Sequence, residues 1–217
     1  MTTTSGASYL SLNKVKAQLN YQQQPNDSFA SLLTLETLTQ FEQQELEEIR
    51  TYAHSYYAAI KTSEGLSKLL ILAPLLRLAG FYTSSITIHL EEKIADILEE
   101  DKGTPIKGRM DILTLNKETE EEVTLFCVLV IETNNRILDP MEGLPQLLTY
   151  AYKILENQPF VWGLTTNGLG YQFVYIERGN PLVYQLLPDL SLFRPDSSIQ
   201  VLQVLKAICK QYLNTSV

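Results

Sequence analysis

The spacing of apolar residues divides the first part of the chain into two helices. Between residues 36 and 60, apolar side chains recur every three or four positions, which predicts an amphipathic helix. A second helix follows Ser63, a good N-cap, and is apolar on nearly every side up to Gly80. Pro74 lies within it and should bend or break it, because proline cannot donate a backbone hydrogen bond.

From Ser84 onward the apolar period changes to two, which is typical of strands. The run from Val123 to Ile131 is apolar at every position except Thr124, which indicates a central strand covered on both faces. The remaining expected elements are strands at 84–90, 109–115 and 160–166, a hairpin of 171–177 with 182–187, and helices at about 140–154 and at the C-terminus. This order predicts an α/β fold in which helices flank a mixed central β-sheet, with an extra N-terminal helix.

The N-terminal segment differs in composition from the rest of the chain. Residues 1–35 are rich in Thr, Ser, Gln and Asn, and we expect a loosely ordered lead-in there. Residues 36–217 are expected to form a single domain, since a chain of 217 residues with 45% hydrophobic residues can bury a full core.

Charge and composition exclude several classes of protein. A net charge of −8 argues against a protein that grips duplex nucleic acid by bulk electrostatics. No apolar run is long enough for a transmembrane helix and no signal peptide is evident, so we expect a cytoplasmic protein without membrane association. Cys127 and Cys209 both fall on apolar faces and are expected to be buried, and no set of zinc ligands is present.

Two acidic residues lie near the ends of neighbouring predicted strands. Asp111 lies in the strand at 109–115, and Glu132 follows the central strand, with Asn134 on the same face two residues later. The short connection between these strands predicts that they pair. Two carboxylates that converge in this way suit Mg²⁺, which binds through one or two carboxylates together with water and phosphate.

The next predicted helix carries two polar residues one turn apart. Gln146 and Tyr150 are related as i and i+4, so their side chains lie on one face, which Lys153 extends. Taken singly, each of these polar residues has an ordinary structural explanation. The combination is harder to explain by chance, because strand position, same-face spacing and order along the chain must all agree.

These motifs, in this order, resemble the restriction-endonuclease-like, or PD-(D/E)XK, nuclease superfamily. Within it the similarity is to the N-terminal nuclease domain of type I restriction enzyme R subunits and their small stand-alone relatives, over roughly residues 62–188. The matching segments are Ser63-Glu64 and the helix up to Gly80, Arg109-Met110-Asp111 for an R-x-D strand, Ile131 to Asn134 for an E-x-K strand end, Gln146 to Tyr150 for a Q-x-x-x-Y helix, and Thr166-Asn167-Gly168 for a strand-closing turn.

The resemblance implies both a fold and a function. The fold would be a restriction-endonuclease-like α/β/α core, and the activity would be hydrolysis of DNA phosphodiester bonds with Mg²⁺, or alternatively Mn²⁺, as cofactor. A homodimer or a protein partner is a further expectation. The resemblance implies Asp111, Glu132 and Glu64 as metal ligands, and Asp111, Glu132, Asn134, Gln146 and Tyr150 as the catalytic set.

The departure from the family pattern is Asn134, which stands where the family has a lysine. A neutral amide can hold a water molecule but cannot supply positive charge, and loss of such a group typically costs about 10²- to 10⁴-fold in rate. By spacing, the nearby cations are Arg109, Arg136 and Lys153.

Three functions stay open at this point. The first is a weak Mg²⁺-dependent nuclease whose activity Asn134→Lys would raise. The second is a catalytically inactive nuclease-fold module for nucleic-acid or protein interaction. The third is an unrelated α/β protein in which these polar residues are structural.

Overall fold

The computed structural model describes residues 11–59, 64–98, 105–116, 123–130 and 139–213. Its α-helices are α1 (Leu12–Gln18), α2 (Gln40–Ala59), α3 (Glu64–Ser67), α4 (Ala73–Ala79), α5 (Leu144–Ile154) and α6 (Pro195–Leu213). Its strands are β1 (Tyr21–Pro25), β2 (Ile86–Leu98), β3 (Pro105–Asn116), β4 (Val123–Val130), β5 (Phe160–Thr166), β6 (Gly170–Glu177), β7 (Leu182–Leu186) and β8 (Leu190–Ser191). A π-helical segment, Lys68–Leu72, joins α3 to α4, and 3-10 turns occupy Phe29–Ser31 and Pro140–Gly143.

Eight strands of the described chain form one mixed sheet. Their order is β1-β7-β6-β5-β4-β3-β2, and β8 pairs with β6 outside this path. The pairs β1–β7 and β4–β5 are parallel, and the other pairs are antiparallel. The predicted fold class, a mixed central sheet flanked by helices, is therefore confirmed. The predicted pairing of the Asp111 strand, β3, with the central strand, β4, is also confirmed.

Helices cover both faces of this sheet. One core cluster contains side chains of α2, α4 and α6, and a second contains side chains of α1 and α5. Successive side chains of β5 point to opposite faces of the sheet, so Val161 belongs to the second cluster and Trp162 to the first. Helix α5 approaches β5 so closely that a Cβ atom on Gly163 would lie 2.7 Å from Leu147 Cδ2. Both α5 and α6 pack against β4, which confirms that the central strand is covered on two sides.

The opening helix is built in three pieces. Helix α3 leads into the π-helical segment, and α4 then begins with Pro74 in its first turn, where a missing N–H is tolerated. Gly80 ends α4 in the left-handed conformation, with φ of 97°. The expected interruption therefore takes the form of a π-helical segment before the proline. The expected burial on all sides is only partly confirmed, because Leu69 is 64% exposed and Leu70 is 37% exposed.

The N-terminal segment is more ordered than its composition predicts. Residues 11–34, which belong to the expected loosely ordered lead-in, contain α1, β1 and a 3-10 turn. Strand β1 adds to the edge of the sheet beside β7, and its Tyr21 and the Val15 side chain of α1 are buried in the core on the α5 side. The prediction of loose order is wrong for this segment because tertiary pairing overrides a weak local preference.

The start of α5 accommodates Pro145. The 3-10 turn Pro140–Gly143 precedes α5, so Pro145 lies in the first helical turn and not in the helix interior.

None of the helices within the described ranges combines the length and the apolar character that a membrane span requires. Cys209 is 1% exposed, and burial raises the pKa of its thiol to about 11, so it behaves as the small buried hydrophobe that we expected. The side chain of Cys127 lies outside the description.

Candidate functional site

Asp111 is a buried acidic residue of β3, only 6% exposed. The register with β2 is the same at Leu90–Ile112 and at Glu92–Met110, and this places Glu91 across from Asp111. A buried carboxylate therefore lies across from an acidic residue of the neighbouring strand.

Glu91, on the neighbouring strand β2, has an unusual backbone conformation. Its φ is 57°, a left-handed conformation that is uncommon for any residue other than glycine. Such backbone outliers cost free energy and tend to concentrate at functional sites. The strained backbone at Glu91 lies across from Asp111, on the strand paired with β3.

Lys68 joins the two acidic residues. Its Nζ atom lies 2.8 Å from Asp111 Oδ1 and 3.9 Å from Glu91 Oε1. The side chains of Lys68 and Asp111 are 14% and 9% exposed, whereas that of Glu91 is 53% exposed. Taking a carboxylate out of water is unfavourable unless a positive partner is close, and the ammonium group supplies that partner. We call Lys68, Asp111 and Glu91 the lysine–acid cluster.

A turn after β5 holds the helix that carries Lys68. The hydroxyl of Tyr57, on α2, donates to the carbonyl oxygen of Asn167 at 2.6 Å and lies 3.5 Å from Ser67 Oγ. Gly168 has φ of 87°, and a Cβ atom there would lie 2.5 Å from the Tyr57 hydroxyl and 3.1 Å from Ser67 Oγ. Glycine is therefore required both for the backbone conformation and for the close approach of Ser67, the residue before Lys68.

The same turn is stabilised internally. Asn167 Oδ1 accepts from the backbone N–H groups of Leu169 at 2.9 Å and Gly170 at 2.8 Å. The Tyr171 hydroxyl donates to the Gly168 carbonyl at 3.2 Å. Burial, and secondly the nearby Tyr57, raises the pKa of Tyr171, so that hydroxyl stays protonated and available as a donor. Thr166-Asn167-Gly168 is thus a rigid support for the start of the π-helical segment.

Gln146 and Tyr150 contact each other on α5. Gln146 Nε2 donates to the Tyr150 hydroxyl at 2.6 Å, as their i and i+4 spacing predicts. Tyr150 is 2% exposed, and α5 packs against β2, β3, β4 and β5. The pair therefore belongs to the helix that covers the strand of Asp111. Its catalytic role stays a prediction.

Other predicted site residues are only partly described. Glu132, Asn134 and Arg136 lie outside the described residues, so their roles stay predictions. Glu64 is the first residue of α3, and Arg109 lies in β3, but the description does not extend to either side chain. Lys153, near the end of α5, lies 2.9 Å from Glu156 in the turn that follows, so it is engaged in a local ion pair.

A groove of about 550 Å³ opens beside the turn that supports Lys68. Its lining includes Asn167, Gly170 and Gln172, together with two aspartates, Asp139 and Asp189. None of the described residues that line the groove is a lysine or arginine, so it offers no positive charge to balance its two carboxylates or to attract an anionic group. The lysine–acid cluster is the better candidate.

The donor set of the cluster can be compared with the needs of a divalent cation. Within the described ranges, no three His, Cys, Asp or Glu side chains gather in a way that could hold a metal. Asp111 and Glu91 do share one ammonium group, so two carboxylates already face a common positive charge. Mg²⁺ commonly uses one or two carboxylates and keeps several waters, so this donor set fits Mg²⁺ better than a metal that needs a complete protein cage.

Lys68 and Glu91 were missed by the sequence analysis. Lys68 stands four residues after Glu64, so the helical spacing places both on one face, and this was a usable signal. Glu91 carried a weaker signal, because the acidic run that contains it has the composition of a solvated loop. Its position opposite Asp111 depends on strand register.

No family model matches the chain, and no curated protein matches it. Among solved structures, the chain is similar to a fragment assigned as an HsdR subunit of a type I restriction enzyme from Vibrio vulnificus YJ016, with 18% sequence identity and a TM-score of 0.37. The alignment covers 65% of this chain and 25% of that one.

Proposed function

We propose that this chain is a divalent-metal-dependent nuclease that hydrolyses phosphodiester bonds of DNA. The observation that carries the proposal is the buried carboxylate of Asp111, which lies 2.8 Å from a largely buried ammonium group and across from the left-handed backbone of Glu91. Ionisable groups held in such surroundings are enriched at functional sites. The order of the sequence motifs supports the same assignment.

The proposed roles follow from the chemistry of the side chains. Asp111 and Glu91 would hold Mg²⁺ or Mn²⁺, and Glu132 and Glu64 are further candidate ligands. The metal, when bound, would polarise the phosphoryl group and favour a nucleophile at neutral pH. Gln146 and Tyr150 would bind a phosphate oxygen or a water through their amide and hydroxyl groups. Because the net charge of the chain is −8, DNA binding would depend strongly on the metal.

A second candidate function is a nuclease-fold module that binds nucleic acid or protein without cutting. Asn134, in place of the family lysine, favours it, because an amide does not supply positive charge. The two functions differ in one measurable respect. A nuclease converts its substrate, whereas a binding module leaves the substrate intact.

Cleavage assays test the proposal. Plasmid DNA and labelled single-stranded DNA are incubated with the wild type and with Asp111→Ala, in Mg²⁺, in Mn²⁺ and in EDTA. Cleavage that requires the metal and is lost in Asp111→Ala is the expected result. Binding of DNA with no cleavage by either protein would support the module, and activity that survives both EDTA and Asp111→Ala would refute the proposal.

A further inference from the structure

We propose that Lys68 is the catalytic cation of this site and takes the role that the family lysine, absent at Asn134, would otherwise fill. This inference rests on the proposed function and names a residue for it. Lys68 Nζ lies 2.8 Å from Asp111 Oδ1, so a water held by Asp111, or a phosphate drawn to a metal ion held there, would also meet the ammonium group. A catalytic residue at this position would contact the reacting atoms directly.

The conformation of the helix places the Lys68 side chain inward and leaves neighbouring apolar side chains exposed. Lys68 is the first residue of the π-helical segment Lys68–Leu72, and such segments often occur at functional sites. The side chain of Lys68 is 14% exposed, whereas the next two residues, Leu69 and Leu70, are 64% and 37% exposed. Lysine is normally among the most exposed residues and leucine among the most buried. The inverted arrangement indicates that a position for the ammonium group has been favoured over burial of apolar surface.

The supports around Lys68 restrict where its amine can move. Ser67, the preceding residue, lies 3.5 Å from the Tyr57 hydroxyl, which donates to the Asn167 carbonyl. A Cβ atom on Gly168 would approach Ser67 Oγ to 3.1 Å, so that turn packs directly against the backbone before Lys68. Rotation of the helix start would break these contacts. A long, flexible side chain is thus attached to a fixed base, which favours accurate placement of its amine.

Lys153, the lysine that the sequence analysis placed near the site, has a different environment. Lys153 Nζ lies 2.9 Å from Glu156 Oε1, three residues further along the chain, and its side chain is 31% exposed. Such a pair is an ordinary local ion pair between residues three positions apart at the end of a helix. Lys68 instead reaches across 43 positions to a carboxylate on the sheet. Lys68, unlike Lys153, contacts the aspartate that is predicted to bind metal.

Lys68 undergoes no net chemical change during the proposed hydrolysis of the phosphodiester bond. A water oxygen forms a bond to phosphorus while the bond from phosphorus to a deoxyribose oxygen breaks. The proton released by the water passes to solvent, and the leaving oxygen takes up a proton from solvent. Lys68 donates hydrogen bonds to the attacking water and to a non-bridging phosphate oxygen, and its charge stabilises the negative charge that develops there. It ends the step with the protons with which it began.

The test compares Lys68→Met with a matched control, Lys206→Met. Lys206 pairs with Glu42 away from the site, and its side chain is 15% exposed, nearly the value for Lys68. Cleavage of labelled single-stranded DNA is measured in Mn²⁺ for the wild type, both variants, Lys68→Arg and Asp111→Asn. Binding of Mn²⁺ alone is measured by calorimetry, and urea unfolding reports the fold of each protein.

We expect Lys68→Met to lower kcat by roughly 10²-fold or more, with a small change in KM, while Lys206→Met retains the wild-type kcat. Mn²⁺ affinity should be retained in Lys68→Met, because the carboxylates remain, and should be lost in Asp111→Asn. Lys68→Arg should recover only part of kcat, since arginine keeps the charge but presents a planar fork in place of a compact ammonium. In Lys68→Ala, added propylammonium should restore rate in a concentration-dependent way, whereas propanol should not.

Two results would overturn the inference while leaving the proposed function standing. One is a wild type that cleaves, an Asp111→Asn variant that does not, and a Lys68→Met variant within about threefold of the wild type. The other is a loss in Lys68→Met that is matched by Lys206→Met, because loss of a buried pair, and not of a catalytic charge, would then explain it. If no protein cleaves and Mn²⁺ binding does not depend on Asp111, the proposed function fails, and this inference fails with it.

Discussion

Two lysine–carboxylate pairs in this molecule have similar burial but lie in different surroundings. The side chains of Lys68 and Asp111 are 14% and 9% exposed, and those of Lys206 and Glu42 are 15% and 14% exposed. The Lys206–Glu42 pair joins α6 to the start of α2. Glu42 also forms a reciprocal capping box there, since it accepts from the Thr39 backbone N–H at 2.7 Å while its own N–H donates to Thr39 Oγ1 at 3.2 Å.

The surroundings of Lys68 and Asp111 depart from the usual preferences for backbone conformation and for burial of apolar side chains. Glu91, opposite Asp111, has a left-handed backbone, and Leu69 and Leu70 are exposed beside Lys68. The contacts that Glu42 makes with Thr39 and with Lys206, in contrast, agree with helix capping and helix packing. Local conflicts of this kind are expected where function opposes stability. The comparison teaches that burial of an ion pair does not by itself distinguish a functional pair from a structural one.

The largest expected difference between the pairs is in activity. Asp111→Asn should lower the rate of DNA cleavage by about 10²- to 10³-fold, the size of the loss when one group that stabilises transition-state charge is removed. Glu42→Gln removes the matching charge from the other pair and should leave the rate unchanged. Steady-state cleavage in Mg²⁺ measures both variants. Equal losses in the two variants would mean that the Asp111 pair has no special role.

Two glycines with left-handed backbones differ in how closely their neighbours approach them. Gly168 lies beside Tyr57 and Ser67, and Gly80 ends α4 with a Cβ position 3.6 Å from Cys209 Sγ, an ordinary contact. Gly80→Ala should therefore cost only the conformational strain, about 1–2 kcal/mol. Gly168→Ala should cost more and, because it displaces the helix before Lys68, should lower cleavage by about 10- to 10²-fold. Urea unfolding and cleavage assays test both variants, and full activity in Gly168→Ala would contradict the role of the turn.

The structural pair should show its effect in stability. Lys206→Met leaves Glu42 without its cation in a largely buried position, so we expect the free energy of unfolding to fall by about 1–2 kcal/mol, between the values typical of exposed and buried pairs. Urea denaturation of the wild type and the variant measures this loss. Lys153→Met, which removes a more exposed pair on α5, is the control and should change stability by less than about 0.5 kcal/mol.

The smallest expected effect is on the pH dependence of stability. Burial by itself would raise the pKa of Glu42, but hydrogen bonds from Lys206 and Thr39 outweigh it, and the net pKa lies below the ordinary 4.5. A lowered pKa in the folded state means that this stabilisation is present above pH 4.5 and is lost as pH falls through the lower folded value. Unfolding in urea at a series of pH values should therefore show a shallower acid-side decline for Glu42→Gln than for the wild type. Identical slopes would contradict the coupling.

Local pattern was sufficient to predict most elements of the fold. The helical period from residue 36 and the twofold period after Ser84 correspond to α2 and to the strands of the sheet. The apolar run at Val123 to Ile131 predicted a strand covered on two sides because a strand with no polar face has no side to expose to water. The i and i+4 spacing of Gln146 and Tyr150 predicted their contact for the same kind of local reason.

Long-range packing decided what the sequence pattern left open. Residues 21–25 became a strand only because β7 offered a free edge, which the Gln-rich sequence of that segment does not signal.

By itself, therefore, the sequence determined the periodic elements and the candidate acid Asp111, because burial patterns repeat over a few residues. Only the tertiary structure decided which lysine lies beside that acid. The contact between Lys68 and Asp111 spans 43 positions, and the contact of Tyr57 with Asn167 that holds the helix spans 110. Distances of this kind are set by strand register and helix packing across the whole chain, which no local spacing encodes.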